Sequence, residues 1–594
     1  MVLALSLLLA FIAVCGFRME LTTNYLVLGN TESFTWLLVF LFFTWVIYQS
    51  IREKDKKLKL CAALFAVTAA LFYVLGLSLS KMYRLSWIWE TRSYLINTLN
   101  LFFGHTVLYY SFAFLSFRML RNAPASAKSS QGYTFSIKRV LLYWIILLVF
   151  YIPWYLLYYP GLLSPDSLNQ IMDAISLDSL SNHHSAILNL VIRGILLTVH
   201  RFTGSYQTGV GICTLLQMLI ITFIFAFCYE WIRRYMHNKL ISVIVFLWLA
   251  LYPIHQLFSV TLWKDILFSV FFLIMLLCID SAANDESAFF SSGKKVFLLF
   301  LCLLLLPLMR HNGITVTIVL PIYFLFRFKN FRKQILLGFA GVLLVFFSWK
   351  LILIPALNIT DIQPAHVYTF MEQQIVRTMD EHRDEMTEEE LKELQNYFYV
   401  PEIWTLYNPR IADPVKDQFR NELFHENPFK FFSLWVKTGL KFPLTYIEAF
   451  LLNDYGFWFP EVNQWISDYS MYEGTKVEDI HPAPIIRLGY VEKIINWLKQ
   501  YQFTKTPVLF LLFSPGAYWW LWIYCGCYCL YRNRKKFALF MAGFALWLGI
   551  LLVPITNAFR YGYGLLVGFP LVLFASLSRR SNDLKTAGKP ASGR

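Results

Sequence analysis

The sequence of residues 296–354 is VFLLFLCLLLLPLMRHNGITVTIVLPIYFLFRFKNFRKQILLGFAGVLLVFFSWKLILI. Three apolar runs alternate here with two short polar turns, the first containing Arg310 and the second rich in Lys and Arg. A helix needs about 20 apolar residues to cross a bilayer. The stretch therefore predicts three membrane helices of alternating direction, with 296–310 and 312–328 as a tight hairpin.

The composition extends this interpretation to the whole chain of 594 residues. It is 57% hydrophobic and only 15% charged, whereas soluble domains are about 45–50% apolar and about 25% charged. This excludes a soluble cytosolic enzyme and predicts an all-α polytopic membrane protein. We expect fourteen transmembrane helices, near residues 2–16, 34–50, 60–79, 96–117, 139–158, 209–231, 240–258, 265–281, 296–310, 312–328, 334–354, 507–530, 537–555 and 562–578. A further apolar run, 186–199, is short and is expected to lie flat at the interface.

The distribution of charge predicts the orientation. A net charge of +15 would suggest nucleic-acid binding in a soluble protein. Here the basic residues gather in short loops between apolar runs, whereas residues 356–505 hold 14 Lys and Arg against 23 Asp and Glu. Basic short loops stay in the cytoplasm. We therefore expect a cell-membrane protein with both termini cytoplasmic, the acidic segment outside, and no nucleic-acid partner.

Four regions follow from these spans. Residues 1–138 hold four helices of unknown role; residues 139–355 form a seven-helix module with a first outer loop at 159–208; residues 356–505 form a small, mostly helical extracytoplasmic cap; and residues 506–594 hold three helices and a basic cytoplasmic tail. Within the cap we expect helices over 380–398, 429–452 and 491–501. Gln363, His366, Gln373 and Gln374 of this cap could reach into the cavity described below, but the interpretation as solvated loop residues is preferred.

Unusual polar clusters mark the outer ends of five spans. Ionisable groups at membrane depth are costly, so their convergence indicates a functional site. We expect one chamber at the outer interface, built from Asp166, Ser167, Gln170, His183, His184, Lys264, Asp265, Arg310, His311, Asn312, Arg560 and Tyr561.

Each charged residue has a structural and a functional interpretation. Asp166 or Ser164 suits a helix N-cap, but a carboxylate held at a rigid turn is also what a general base requires. Lys264 and Asp265 suit the start of a helix near lipid headgroups, or the binding of a substrate phosphate. Arg310 and Arg560 suit interfacial anchoring, or a bidentate clamp on a lipid-borne phosphate.

Metal and nucleotide chemistry receive little support from the motifs. His183 and His184 are adjacent, so we expect their rings to diverge and one of them to bind a sugar or phosphate. No H-x-x-x-H spacing and no G-x-x-x-x-G-K-[ST] motif occurs, which disfavours a zinc hydrolase and ATP-driven transport.

The order of spans and loops from residue 139 to 578, with Asp166 early in the first outer loop, resembles the GT-C superfamily of integral membrane glycosyltransferases. The phrases YYPGLLSPDS, SNHHSAI, LWKD and MRHNG also look like an uncharacterised family of Gram-positive bacterial multi-pass membrane proteins related to that superfamily. The resemblance implies a polyprenyl-phosphate-linked sugar donor, a cell-envelope glycan, lipid or protein acceptor, and a place in polysaccharide biosynthesis. It implies Asp166 as catalytic base and Lys264, Arg310 and Arg560 near the donor phosphate.

One departure from that superfamily bears on the mechanism. Members that use a metal carry paired acidic residues in the second outer loop, whereas Asp265 stands alone beside Lys264. We therefore expect an inverting transferase that needs no cofactor, with Mg²⁺ or Mn²⁺ shared by Asp166 and Asp265 as the alternative. Other functions left open are a lipid-linked oligosaccharide flippase or transporter, a glycan polymerase or ligase, and a non-catalytic scaffold.

Overall fold

The computed structural model describes residues 1–17, 19–21, 26–28, 33–122, 133–176, 180–236, 238–460, 466, 469, 480–506, 508–552 and 558–578. These residues are overwhelmingly helical. Numbering the helices of eight or more residues in chain order gives α1 Val2–Phe17, α2 Ser33–Arg52, α3 Lys56–Met82, α4 Arg92–Asn122, α5 Ile137–Leu157, α6 Pro165–Ile175, α7 Ala186–Thr203, α8 Tyr206–Ile232, α9 Lys239–Leu251, α10 Lys264–Asn284, α11 Gly293–Met309, α12 Ile314–Arg327, α13 Arg332–Ser348, α14 Thr369–His382, α15 Glu388–Gln395, α16 Pro428–Lys441, α17 Pro443–Asp454, α18 Gly489–Lys499, α19 Pro515–Arg532, α20 Phe537–Leu552 and α21 Tyr563–Ser576.

Shorter elements join these helices. They include one antiparallel pair of strands, Met19–Leu21 and Leu26–Leu28, the helices Pro253–Ser259, Glu286–Phe290, Ile354–Ala356, Pro364–Val367, Asp413–Lys416 and Asn421–Glu426, and a π-helical turn, Trp349–Leu353.

Nine helices of the described residues are long and apolar enough to cross a membrane, or ten when the bent pair Lys239–Leu251 and Pro253–Ser259 is taken as one span. The structure thus has the character expected of a helical membrane protein. A helix lies at each of the fourteen predicted spans. The run expected to lie flat forms α7, which has 18 residues and passes the same test of length and apolarity. Length therefore does not separate α7 from the spans, contrary to the argument from sequence.

Two predicted spans are less regular than expected. The span at 240–258 is bent by 42° between α9 and Pro253–Ser259, because a proline within a helix removes a backbone hydrogen bond and its ring clashes with the preceding turn. The span at 507–530 becomes α-helical only at Pro515, after a 3₁₀ turn at Leu509–Phe513.

The prediction of a single acidic helix over residues 380–398 was wrong. α14 ends at His382, and a separate helix, α15, begins after Thr387 with a reciprocal capping box between Thr387 and Glu390. The helix expected over 429–452 was also wrong, because Pro443 divides it into α16 and α17. The helix expected over 491–501 is observed as α18, Gly489–Lys499.

The connection after α3 packs against the segment predicted as a cap. The buried Glu448 of α17 accepts hydrogen bonds from the backbone N–H of Leu85 at 2.5 Å and of Ser86 at 3.4 Å, in the connection after α3. Arg377 of α14 pairs with Glu448 at 2.9 Å and donates to the Tyr83 carbonyl at 2.7 Å. A buried ion pair thus joins α14 to α17, and the connection between α3 and α4 forms hydrogen bonds to both of its members.

A second buried ion pair lies near the far end of α10. Lys264 begins this helix, and Asp280 follows 16 residues later, roughly 24 Å along the axis. The Lys536 ammonium lies 2.5 Å from the Asp280 carboxylate, and the two side chains are 1% and 0% exposed. Trp231 and Tyr235 donate to the other carboxylate oxygen at 2.9 and 2.7 Å. The negative charge of Asp280 is therefore fully compensated inside the protein.

This pair gives a prediction on stability. Replacing one partner of a buried ion pair leaves an uncompensated charge and costs about 3–5 kcal/mol. We expect Lys536→Met to lower the free energy of unfolding by that amount in a denaturant titration of the detergent-solubilised protein. The matched control is Lys392→Met, whose partner Glu388 is 3.9 Å away and 95% exposed and which should change stability little. Equal effects of the two substitutions would contradict the prediction.

Candidate active site

The segment predicted as the first outer loop is joined to the segment before α10. The Leu162 N–H donates to the Val260 carbonyl at 2.9 Å.

Ser164 is the N-cap of α6. Its hydroxyl accepts a hydrogen bond from the backbone N–H of Ser167 at 3.4 Å, and the indole N–H of Trp263 donates to the same hydroxyl at 2.5 Å. Because Ser164 caps the helix, the Asp166 carboxylate is not needed for capping.

Ser167 takes part in the same cap. Its hydroxyl lies 3.4 Å from the Ser164 N–H and the side chain is fully buried. The structure therefore places Ser167, one of the predicted binding residues, in the start of α6.

Asp166 pairs with Arg560, although 393 residues separate them in the chain. The guanidinium nitrogen lies 2.6 Å from the carboxylate oxygen, and the Asp166 side chain is 34% exposed against 11% for Arg560. The guanidinium carbon also lies 4.7 Å from the Trp263 ring centre and 5.3 Å from that of Tyr561. Two aromatic rings thus fix a guanidinium beside an accessible carboxylate.

The electrostatic surroundings keep Asp166 ionised. Burial by itself raises the pKa of this carboxyl, but the charges of Arg560 and Lys264 and the hydrogen bond from Arg560 bring the pKa well below its usual range. A carboxylate that must accept a proton has to be ionised beforehand. Asp166 meets that requirement at neutral pH.

Asp265 and Arg310 form a second pair beside the first. Their atoms are 2.8 Å apart, and their side chains are 3% and 11% exposed. The Arg310 guanidinium lies 4.1 Å from the Tyr561 ring centre. Since Tyr561 also lies against Arg560, this one ring links the two ion pairs.

Lys264 completes the charged group. Its ammonium donates to the His183 carbonyl at 2.9 Å, and no described carboxylate lies within 4 Å of it. Three cations, Lys264, Arg310 and Arg560, therefore face two carboxylates, Asp166 and Asp265. These five side chains carry a net charge of +1, which favours the binding of an anion.

Four histidines surround the charges. The His183 ring centre lies 4.3 Å from that of His184 and 4.2 Å from that of His366, so the adjacent rings contact each other and do not diverge as expected. His311 contacts the Asn182 carbonyl at 2.9 Å. Burial, followed by nearby positive charge that includes Lys264, lowers their pKa values to about 2 for His183, 3 for His184, and 4 for both His311 and His366. All four imidazoles are neutral at pH 7.

These histidines predict a loss of stability in mild acid. Below about pH 6.5 the histidines of the unfolded chain take up protons, whereas those of the folded protein stay neutral. The free energy of unfolding is therefore highest above pH 6.5 and decreases as the pH drops toward about 4. We expect a lower melting temperature at pH 5 than at pH 7.5, and a smaller difference in His366→Asn. The exposed His425 gives the control, His425→Asn, which should keep the full difference. A melting temperature independent of pH would contradict the prediction.

The segment 356–460 also contributes buried polar groups. Gln373 and Gln374 are buried and His366 contacts His183, so the interpretation of these residues as solvated was wrong; Gln363 is exposed as expected. The reason is the docking of α14 through Arg377. Lys416 and Glu372 are further buried charged residues of this segment, and no periodicity in the sequence distinguishes them from surface charges.

A comparison with known protein families matches this chain to the Family of unknown function (DUF6020) over residues 175–589. The match covers more than two thirds of the sequence. The chain belongs to the DUF6020 family. No curated protein matches it, and no solved structure matches it.

The DUF6020 match includes most of the site. His183, Lys264, Arg310 and Arg560 lie within the matched residues, whereas Asp166, Ser167 and Gln170 lie just before them. The described residues contain no group of three or more His, Cys, Asp or Glu side chains arranged to hold a metal ion. A divalent ion shared by Asp166 and Asp265 would have to displace two guanidinium groups from these carboxylates.

Proposed function

We propose that this protein is a membrane glycosyltransferase that moves a sugar from a polyprenyl-phosphate donor to a cell-envelope glycan, lipid or protein acceptor on the extracytoplasmic side. One observation carries the proposal: the ionised Asp166 lies in a single cluster with three cations, and two of those, Arg310 and Arg560, are held by one tyrosine ring. A base and an anion-binding group are thus side by side, as phosphate-releasing transfer requires.

The buried ion pair between Lys536 and Asp280 supports the predicted orientation of the protein in the membrane. Lys536 and the nearby Arg139, which pairs with Glu230, belong to loops that the positive-inside rule assigns to the cytoplasm. Asp280, the partner of Lys536, lies at the end of α10 opposite to Lys264. The charged cluster then faces the outer side, where a lipid-linked sugar would be presented.

The reaction uses residues of this cluster only. Asp166 accepts the proton of an acceptor hydroxyl, and the hydroxyl oxygen attacks the anomeric carbon from the face opposite the lipid phosphate. The bond from the anomeric carbon to the phosphate oxygen breaks, and its electron pair leaves with the polyprenyl phosphate. The configuration is inverted, and no metal or cofactor is needed.

Lys264, Arg310 and Arg560 stabilise the leaving group. A phosphodiester donor carries one negative charge, which the net +1 of the cluster balances. The departing phosphate gains a second negative charge, so the attraction grows toward the transition state. Charge stabilisation that increases along the reaction in this way lowers the barrier.

The proposal is tested by incubating the purified protein in nanodiscs with a panel of polyprenyl-phosphate sugars and a cell-envelope glycan extract, and measuring released polyprenyl phosphate by mass spectrometry. Release that depends on the acceptor supports transfer. Movement of the intact donor across proteoliposome membranes without release of phosphate would favour a flippase. A polymerase or ligase would instead release an oligosaccharide-bearing lipid product or a lipid pyrophosphate.

A further inference from the structure

Neutral polar side chains border the charged cluster, and they are buried without partners. Gln170 is 1% exposed, His184 5% and Asn312 5%. Both amide atoms of Gln170 and of Asn312, and Nδ1 of His184, have no hydrogen-bond partner among the described residues. Nδ1 of His183 likewise has no hydrogen-bond partner among the described residues. Buried amides and imidazoles are normally hydrogen-bonded, so such a group needs an explanation.

These side chains lie at the cluster and come from two separate parts of the chain, the segment 159–208 and the turn that follows α11. Gln170 follows Asp166 by four residues on α6, so the two occupy the same face of the helix. His184 lies close enough to Asp166, Lys264 and Arg560 for their charges to act on it. Asn312 belongs to the turn that begins with Arg310. A ligand held by the charges would therefore meet these neutral groups next.

Some buried amides elsewhere among the described residues are paired, although both amide atoms of Gln373 and Oδ1 of Asn189 are not. Gln374 donates to the Tyr446 carbonyl at 2.9 Å and accepts from the Trp435 indole at 2.8 Å. Gln217 donates to three backbone carbonyls of residues 258–261. Orphan atoms are therefore not confined to this site; those of Gln170, His184 and Asn312 are distinguished by their position beside the charged cluster.

We propose that Gln170, His184 and Asn312 bind the hydroxyl groups of the transferred sugar and select an uncharged sugar over one that bears a carboxylate. This inference rests on the proposed function. Amides and a neutral imidazole donate to and accept from hydroxyls, which are both donors and acceptors. The single positive charge in excess balances the donor phosphate, so a carboxylate on the sugar would be desolvated with no cation left to pair with it.

The test compares binding of short lipid phosphates to the full-length protein in nanodiscs. The probes are farnesyl phosphate, its mannose, glucose, galactose and arabinose esters, and its glucuronic acid ester. We expect the best neutral ester to bind about tenfold more tightly than farnesyl phosphate, as two or three net hydrogen bonds would give. The glucuronic acid ester should bind no better than farnesyl phosphate.

Two variants and a matched control assign this preference to the named residues. Gln170→Leu and Asn312→Leu should each reduce the preference for the neutral ester by about threefold, while farnesyl phosphate binds within twofold of wild type, which also shows that the variants are folded. Gln374→Leu removes a buried glutamine whose partners lie outside the site. It should keep the preference whatever it does to the melting temperature.

The outcomes separate the two proposals. Failure of the wild type to bind farnesyl phosphate would overturn the phosphate site and hence the proposed function. Binding of farnesyl phosphate with no gain for any neutral ester, or with an unchanged preference in both leucine variants, would overturn the sugar subsite alone and assign the orphan atoms to buried water. Tightest binding of the glucuronic acid ester would overturn the selection of uncharged sugars.

Discussion

Asp166→Asn is expected to reduce sugar transfer by about 10²–10⁴-fold, the range that a positioned general base supplies. Asparagine keeps the size of the side chain and an oxygen that can accept from Arg560, which lies 2.6 Å from the carboxylate in the structure. It cannot take a proton from the acceptor. The cluster would at the same time pass from a net charge of +1 to +2, so we expect farnesyl phosphate to bind at least as tightly as in wild type.

The control for this variant lies on the same helix. Asp173 of α6 is half-buried and accepts from Asn189 at 3.2 Å, away from the charged cluster. Asp173→Asn should retain transfer. Full transfer by Asp166→Asn would end the general-base proposal. Joint loss of transfer and of farnesyl phosphate binding would show that Asp166 only holds Arg560 in place.

The second large effect is expected at Arg310. Arg310→Gln should lower kcat/KM for transfer by about 10²–10³-fold, because a preorganised donor to the leaving phosphate is lost. The same change leaves Asp265 buried without its cation, which costs about 3–5 kcal/mol of stability. A loss of transfer in the single variant could therefore come from the missing phosphate contact or from the lower stability.

A double variant separates them. Arg310→Gln with Asp265→Asn removes both charges of the pair, so the free energy of unfolding should return toward wild type while transfer stays low. Melting temperature and transfer, measured on the same preparations, give the comparison. Recovery of transfer in the double variant would show that Arg310 merely neutralises Asp265.

The sequence was sufficient to predict where the long apolar helices lie, but not the breaks between α14 and α15 and between α16 and α17. Apolar runs and basic loops are local patterns, so the loops containing Asp166, Lys264 and Arg310 could be assigned to one end of the bundle. The pairings could not be predicted. Asp166 contacts Arg560 and not Lys264 because of how α6 and α21 are placed by long-range packing, and no local pattern encodes that choice.

The errors have identifiable physical causes. The break between α14 and α15 was signalled by Thr387 and Glu390, a capping box inside a sequence of good helix formers, and the break between α16 and α17 by Pro443. The contact of the His183 and His184 rings arises in a non-helical loop that ends at Ser185, whose φ is 74°. Helical spacing rules do not apply there.

The burial of Glu448 against Leu85 and Ser86 bears on how the protein can be shortened for expression. The family match begins at residue 175, which makes a truncated gene starting there an obvious choice. Such a product would lack both N–H donors to the Glu448 carboxylate and the Tyr83 carbonyl that receives Arg377. α17 leads directly to Phe457, whose ring stacks 6.3 Å from that of Tyr561. Such a product also loses Asp166 itself, and even a truncation that began after Asn122 and kept the whole charged cluster would disturb the tyrosine between its two arginines.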